Sequence, residues 1–209
     1  MAEAHPAPRP RAVQERSVRT RERILEAAVE CLAEHGYSLT TTVKIQEIAG
    51  VSRGRLLHHF PSKEELLAAA VEHLATRNFD LLKEEARRFS NDERRIDQAV
   101  ELLWSIFDTP FFWAAMELWV AARTDEQLRV ALHHEERRLA TVIPELAEAL
   151  FGERYIDSPN FESVLSILVS SMRGEALTMA FAPDDARLEK RLSAWKLMAQ
   201  ELLQASSRS

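Results

Sequence analysis

The sequence is poor in cysteine and glycine and has no long, uninterrupted apolar run. Its single cysteine, Cys31, excludes an internal disulfide and is typical of a protein kept in a reducing compartment. The N-terminal residues lack the apolar segment of a signal peptide, and no apolar run is long enough to cross a bilayer. We therefore expect a cytoplasmic protein that does not associate with a membrane.

Motifs of catalysis and metal binding are also missing. We recognise no glycine-rich phosphate loop, no nucleophile elbow and no pair of catalytic carboxylates. His133 and His134 precede two glutamates, but adjacent histidines on a helix point about 100° apart, and no spaced residue completes a metal site. A solvated charged face explains this run better. We predict neither an enzyme nor a bound metal or cofactor.

Charge is unevenly distributed along the chain. The net charge is −6, yet residues 1–63 hold 10 basic and 7 acidic side chains. Residues 64–209 hold the remaining 17 of 27 basic and 26 of 33 acidic side chains. A basic head on an acidic body can direct one end of a protein onto a polyanion. An imbalance of this size can also arise by chance, so it supports a nucleic-acid partner only together with a motif.

Apolar residues recur at helical spacing along most of the chain, which predicts an all-α protein of about nine helices. We expect a disordered, Pro- and Arg-rich arm at 1–17, a three-helix helix-turn-helix domain at 18–62 and a larger helical domain at 63–209. A long fourth helix, from about Pro61 to Phe89, joins the two domains. A nearly all-apolar helix at 111–123 should be buried, and Pro144 should kink or divide the helix that follows.

The segment 41–63 predicts two short helices with a tight turn between them. In the first helix, 43–49, we expect Thr42 to be the N-cap and Ile45 and Ile48 to face inward. Gly50 can end this helix with a positive φ, and Ser52 can cap the second helix, 53–58. This is the pattern of a helix-turn-helix, whose second helix enters the major groove of DNA.

These residues resemble a known family. The motifs AGVSRG (49–54), LLHHF (56–60) and PSKEEL (61–66), with the helix RERILEAAVECLAEHGY (21–37), are similar to the DNA-binding domain of TetR-family transcriptional regulators. The resemblance covers about residues 19–74, and beyond them it is one of helical layout only. Two positions depart from the family pattern: Gln46 stands where a small alanine is usual, and Leu57 stands where a phosphate-contacting tyrosine is usual.

The resemblance and the residue chemistry together suggest a DNA-binding set. Arg53 and Arg55 begin the recognition helix, and an arginine can bond guanine O6 and N7 at once. Gly54 between them permits close approach of the backbone. The expected DNA-binding residues are Thr41, Thr42, Ser52, Arg53, Gly54, Arg55, His58 and Lys63. The alternative is that these are simply solvated polar residues.

A second cluster, of aromatic and methionine residues, lies in the larger domain. Such side chains can line a pocket for an apolar small molecule. The resemblance implies an effector cavity somewhere among predicted helices four to eight. At helical spacing the same residues are equally ordinary core. The candidate pocket residues are Trp104, Phe107, Phe111, Trp113, Met116, Trp119 and Met172.

The last two predicted helices, within about 161–204, have broad apolar faces and a short joint, so they should pair antiparallel. Meeting a twofold copy, they would form a four-helix bundle, as the family's dimers do. Alternatively they pack only on their own domain. Our main hypothesis is a homodimeric repressor released from a near-palindromic operator on double-stranded DNA by an unknown small-molecule effector. The alternatives are a helical enzyme, or a protein–protein adaptor that has lost DNA binding.

Overall fold

The computed structural model describes residues 10–139 and 143–205. This part of the chain is helical with no strand, which confirms the all-α prediction. The α-helices are α1 Pro10–Leu39, α2 Thr42–Ala49, α3 Arg53–His59, α4 Lys63–Ala86, α5 Arg94–Ser105, α6 Pro110–Ala121, α7 Glu126–Leu139, α8 Ile143–Phe151, α9 Glu153–Ile156, α10 Phe161–Phe181 and α11 Asp185–Ala205, with one 3-10 turn at Ile106–Asp108. These eleven exceed the predicted nine because the helical segments on either side of residues 140–142, which lie outside the described part, carry separate labels, and because α9 is an additional short helix.

The chain divides into two compact units. The first comprises Met1–Leu74 and Ala114–Glu135, and the second comprises Ala75–Trp113 and Glu136–Ser209. The helices α4, α6 and α7 each contribute residues to both units. The first unit therefore contains the predicted helix-turn-helix together with the end of α6 and most of α7.

Helix α1 is longer than predicted. It is already helical at Pro10, the first described residue, rather than from Val18, and the arginines, Gln14 and Glu15 that follow are good helix formers. Residues 10–17 of the expected disordered arm are therefore helical, and residues 1–9 lie outside the described part of the chain. At the other end, Gly36 leaves helical geometry with a φ of 70°, a conformation that favours glycine.

The first unit has a core built on α1, α2, α3 and the start of α4. Its fully buried side chains include Ile24, Leu25, Leu32, Ile45, Leu56, Leu66 and Leu67. Ile48 was expected to face inward, but it is 43% exposed. Ala49 takes the inner position instead, because a residue four positions after Ile45 returns closer to the same helix face than a residue three positions after it.

In the second unit, α5, α8, α10 and α11 share a core. Its buried residues include Ile96, Val100, Leu103, Leu150, Phe151, Leu168, Met172, Trp195, Ala199 and Leu203. The Asn160 Nδ2 donates to the Leu202 carbonyl at 3.0 Å, so the start of α10 lies beside the end of α11. The two helices are therefore antiparallel, as predicted.

Three expectations concern the helices after α4. Pro110 is the first residue of α6, as predicted. The apolar helix α6 is not wholly buried, since Trp119 is 40% and Val120 is 64% exposed. The predicted kink or break at Pro144 involves residues 140–142, which lie outside the described part of the chain; α7 is described up to Leu139 and α8 from Ile143 onward.

The expectation that no segment could cross a membrane needs one correction. By length and composition alone, α10 is apolar enough to do so, with a mean hydropathy of 1.3 and only 28% of its apolar window buried. Core helices of soluble proteins pass the same test. The low burial shows instead that this helix presents a wide apolar face.

Candidate nucleic-acid interface

Residues at the start of α2 and in the turn between α2 and α3 cap these two helices. The Thr41 hydroxyl oxygen accepts a hydrogen bond from the Lys44 N–H at 3.2 Å, so Thr41 rather than Thr42 is the N-cap of α2. Adjacent threonines offer the same acceptor, and only the backbone of Thr41 is extended. As predicted, Gly50 ends α2 with a φ of 60°, and Ser52 caps α3 by accepting from the Arg55 N–H at 3.4 Å.

Most of the predicted DNA-binding residues lie at the surface of this turn and of α3. Thr41, Ser52, Arg53, Gly54, Arg55 and His58 are exposed, while Thr42 and Lys63 are half-buried. A Cβ added at Gly54 would meet nothing within 4 Å, so no packing inside the protein requires glycine here. The start of α3 is therefore a cationic edge with an open backbone between two arginines.

Two residues that were not predicted from the sequence, Arg23 and Thr40, form hydrogen bonds that fix the segments on either side of α2. The Arg23 guanidinium donates to the carbonyl of Ala49, the last residue of α2. Thr40 is fully buried, and its hydroxyl bonds the carbonyls of Cys31 at 3.1 Å and Gly36 at 2.7 Å. Thr40 could have been noticed in the sequence because it directly precedes Thr41, the N-cap of α2. Nothing in the sequence connected Arg23 to Ala49, which lies 26 positions away.

The two positions that depart from the family pattern are both accommodated. The Gln46 side chain is half-buried, and its backbone carbonyl accepts hydrogen bonds from the N–H groups of Gly50 and Val51. Leu57 is 42% exposed on α3 and has no polar group to offer a phosphate. Next to it, the rings of His59 and Phe60 lie 6.4 Å apart, so His59 packs beside Phe60.

Lys63 begins α4 and contacts the end of α1. Its Nζ donates to the Tyr37 carbonyl at 2.9 Å and lies 4.0 Å from the centre of the Tyr37 ring. Burial lowers the pKa of the Lys63 ammonium group, while the nearby carboxylates of Glu64 and Asp125 act in the opposite direction. An ammonium group carries three N–H donors, so this contact leaves two of them for another acceptor.

Tyr37 also connects α1 to α6 and α7. Its hydroxyl donates to Asp125 Oδ2 at 2.6 Å, and its backbone N–H donates to Glu117 Oε2 at 3.0 Å. Burial and the bond to Asp125 raise the pKa of the Tyr37 hydroxyl. The Leu128 N–H, followed by the Tyr37 hydroxyl, lowers the pKa of the Asp125 carboxyl, which caps α7. These bonds fix the segment that leads from α1 into α2.

The candidate pocket residues separate into two groups. In the second unit, Trp104 stacks on Phe107 with ring centres 5.9 Å apart, and Phe112 links Phe107 to Trp113 through centres 5.2 and 5.0 Å apart. Met172 is fully buried, and Phe111 is half-buried. The other group, Met116 and Trp119, belongs to the first unit. Trp195 of α11 was not predicted as a pocket residue, because it fits the apolar stripe of its own helix. Its ring centre lies 5.5 Å from that of Trp104.

Among the described residues, no group of three or more His, Cys, Asp or Glu side chains is close enough to hold a metal ion. The helix-turn-helix with its cationic edge, on an all-helical chain, defines a DNA-binding transcriptional regulator.

Comparison with known proteins identifies the family. Residues 24–70 match the model of the bacterial regulatory proteins of the tetR family. The regulator CymR of Pseudomonas putida is 28% identical over 184 residues, 88% of this chain and 91% of CymR. The repressor AcnR of Corynebacterium glutamicum is 30% identical over 158 residues, 70% of this chain and 82% of AcnR. The chain belongs to the tetR family of bacterial transcriptional regulators.

The fold is shared with a solved transcriptional regulator. The structure of FadR from Bacillus subtilis in complex with stearoyl-CoA matches with a TM-score of 0.58 and 17% identity over 87% of this chain and 96% of FadR. The resemblance that the sequence suggested is thus confirmed. Members of this family bind DNA and respond to small molecules, so the chain is a ligand-responsive regulator of transcription and not an enzyme.

Proposed function

We propose that the protein is a cytoplasmic homodimeric repressor that holds a near-palindromic operator with α3 of each protomer and releases it when an effector binds the second unit. The observation that carries this proposal is the cationic edge at Arg53, Gly54 and Arg55. Ser52 and Gly50 orient that edge, and no described carboxylate pairs with either arginine. An unpaired guanidinium group at the start of a recognition helix is available to a base edge.

The other members of the DNA-binding set are proposed to position the protein on the phosphates. The hydroxyl oxygens of Thr41 and Ser52 accept cap hydrogen bonds, which leaves each O–H free to donate to a phosphate. Thr42 and His58 lie on the same two helices. Lys63 retains two N–H donors beside Tyr37, at the N-terminus of α4, where backbone N–H groups also favour an anion. Contacts of this kind fix register without reading sequence.

We propose that the dimer forms through α10 and α11, within about residues 161–204. The apolar side chains Ile167, Leu177 and Phe181 of α10 and Leu197 of α11 are about half to almost fully exposed, which is unusual for a soluble helix pair. On α10 they alternate with Ser170, Ser171, Gly174 and Thr178, which are small enough for a second helix to approach closely. A twofold copy of this pair would complete a four-helix bundle.

The effector is proposed to be an apolar, partly aromatic molecule that binds in the second unit beside Trp104, Phe107, Phe111, Trp113 and Met172. An effector shifts DNA affinity only if it prefers one conformation of the protein. We propose that α4 carries the change, because it is one unbroken helix that supplies residues to both units and begins at Lys63.

A gel-shift series on the DNA upstream of the protein's own gene tests the function. Arg53→Ala or Arg55→Ala should weaken specific binding by roughly 1–3 kcal/mol and relax base preference at one position. Lys63→Ala should weaken binding to all sequences and reduce the salt slope by about one. An unrelated duplex of equal length is the control. If the wild-type protein binds both duplexes alike, the chain is an adaptor that has kept the fold without DNA recognition.

A further inference from the structure

The N-terminal part of α1, which was not predicted to be helical, places arginines on the face of α1 that borders the helix-turn-helix. Arg16, Arg19 and Arg23 are spaced by three and four residues, which puts them within about 60° of each other on one face of a helix. We call Arg16 and Arg19 the arginine stripe. Had residues 10–17 been disordered, as their composition suggested, Arg16 would have had no fixed position.

Arg23 shows which way this face points. Its guanidinium bonds the last carbonyl of α2, and a Cβ built at Gly50 would come within 3.0 Å of it. The face therefore borders the turn that leads into α3. Arg19 and Arg16 continue the same face about 6 and 10 Å further along the helix, at a rise of about 1.5 Å per residue.

Both arginines of the stripe are available to a partner. Their side chains are exposed, and no described residue forms an ion pair or a hydrogen bond with either guanidinium group; the Thr20 hydroxyl bonds only the backbone carbonyl of Arg16, at 2.8 Å. Other exposed arginines differ in this respect: Arg87 pairs with Glu84, and Arg129 pairs with Glu126. The stripe also precedes residue 24, where the match to the family model begins.

We propose that Arg16 and Arg19 bind DNA phosphates that flank the half-site read by α3, extending the interface without adding base contacts. The occupant is a polyanion because the stripe is purely cationic, and it is the same duplex because the stripe is continuous with the turn before the recognition helix. The proposal rests on the DNA contact proposed above for α3. Each neutralised phosphate contributes about 0.9 to the salt slope.

The test measures operator affinity of the full-length Arg16→Ala/Arg19→Ala variant by fluorescence anisotropy at several salt concentrations. We expect the slope to fall by about two per protomer while the ratio of specific to non-specific binding stays unchanged. Lengthening the duplex by one helical turn on each side should strengthen wild-type binding and not that of the variant. Arg16→Lys/Arg19→Lys should restore both effects, because lysine keeps the charge.

Arg123→Ala is the matched control. Arg123 is an exposed arginine of the same unit that lies off the stripe and has no described ion-pair partner, so its removal lowers the net charge by one, the change that each substitution in the stripe makes. A salt slope and flank dependence equal to those of wild type in the double variant would overturn the proposal. If Arg53→Ala still weakens specific binding in that case, only the stripe assignment fails. If Arg53→Ala has no effect either, the proposed function fails with it.

Discussion

At the scale of single residues, Gly54 is the position where folding and the proposed DNA contact make opposite demands. It lies inside α3, where glycine costs roughly 0.5–1 kcal/mol relative to alanine, and nothing in the protein occupies the space of a side chain there. A residue that destabilises its own helix and fills no packing role is best explained by close approach of DNA.

Gly54→Ala should therefore stabilise the fold and weaken the operator complex. We expect the free energy of unfolding to rise by up to about 1 kcal/mol in urea titrations, because alanine is the better helix former. Operator affinity in a gel shift should fall, since the added methyl group keeps the backbone away from the bases. Unchanged operator affinity in a stabilised variant would show that the backbone at Gly54 does not approach DNA.

His59 gives the stability a pH dependence. Burial, followed by the charges of His58, Arg21 and Arg55, lowers the pKa of the His59 imidazole. As the pH falls below the usual histidine value of about 6.5, the unfolded chain takes up a proton that the folded protein does not. The contribution of His59 is thus present above that value and is lost as the pH falls through the lowered pKa.

Urea titrations at pH 7.5 and 5.5 should show lower stability at the acidic pH, and His59→Gln should reduce the difference between the two. An unchanged pH dependence in His59→Gln would assign the effect to other groups.

At the scale of helices, Tyr37 joins the end of α1 to the start of α7 through Asp125. Tyr37→Phe removes a charge-assisted hydrogen bond and should lower the free energy of unfolding by about 1–2 kcal/mol. Tyr155→Phe is the matched control, because the Tyr155 hydroxyl is buried with no described hydrogen-bond partner and its loss should be neutral or stabilising. A double-mutant cycle of Tyr37→Phe with Asp125→Ala that shows no coupling energy would contradict this role.

A helix end that a single residue determines was predictable from the sequence. An end at which two neighbouring residues offer the same cap was not. Gly50, Ser52 and Pro110 each act locally, through a positive φ, a side-chain acceptor or a fixed φ, and all three were placed correctly. Thr41 and Thr42 offer the same acceptor, so only the backbone decides between them. The early start of α1 was hidden because its Pro- and Arg-rich composition also suits a disordered arm.

The candidate interface shows the same division. The exposure of Arg53 and Arg55 follows from the helix-turn-helix pattern, which turns their side of α3 away from the core. The bonds of Tyr37 to Asp125 and Glu117 span 88 and 80 residues, and no local pattern encodes such pairs. The link from Trp104 to Trp195 was missed for the same reason.

At the scale of the whole molecule, the exposed apolar faces of α10 and α11 form the proposed dimer interface. Phe181 is 92% exposed, and Phe181→Glu would bury a charge in the proposed dimer interface. We expect the dimer dissociation constant to rise by at least about 30-fold, corresponding to roughly 2 kcal/mol, in light scattering after size exclusion. Val130→Glu, at an exposed apolar residue of the first unit, should leave the dimer intact. A dimer that resists Phe181→Glu would place the interface elsewhere.

Two protomers matter for recognition because one short helix reads few base pairs. Two copies of α3 about 34 Å apart would meet successive major grooves on one face of B-DNA. An operator with two half-sites is therefore a consequence of the proposed dimer.

Footprinting of the upstream DNA with the wild-type protein and the Arg53→Ala/Arg55→Ala variant tests the central claim most directly. We predict two protected half-sites with centres about 10 base pairs apart, and loss of both protections in the variant at the same protein concentration. Protection that survives the double substitution, or a protein that protects no particular sequence, would contradict the assignment of the cationic edge of α3 as the DNA-reading element.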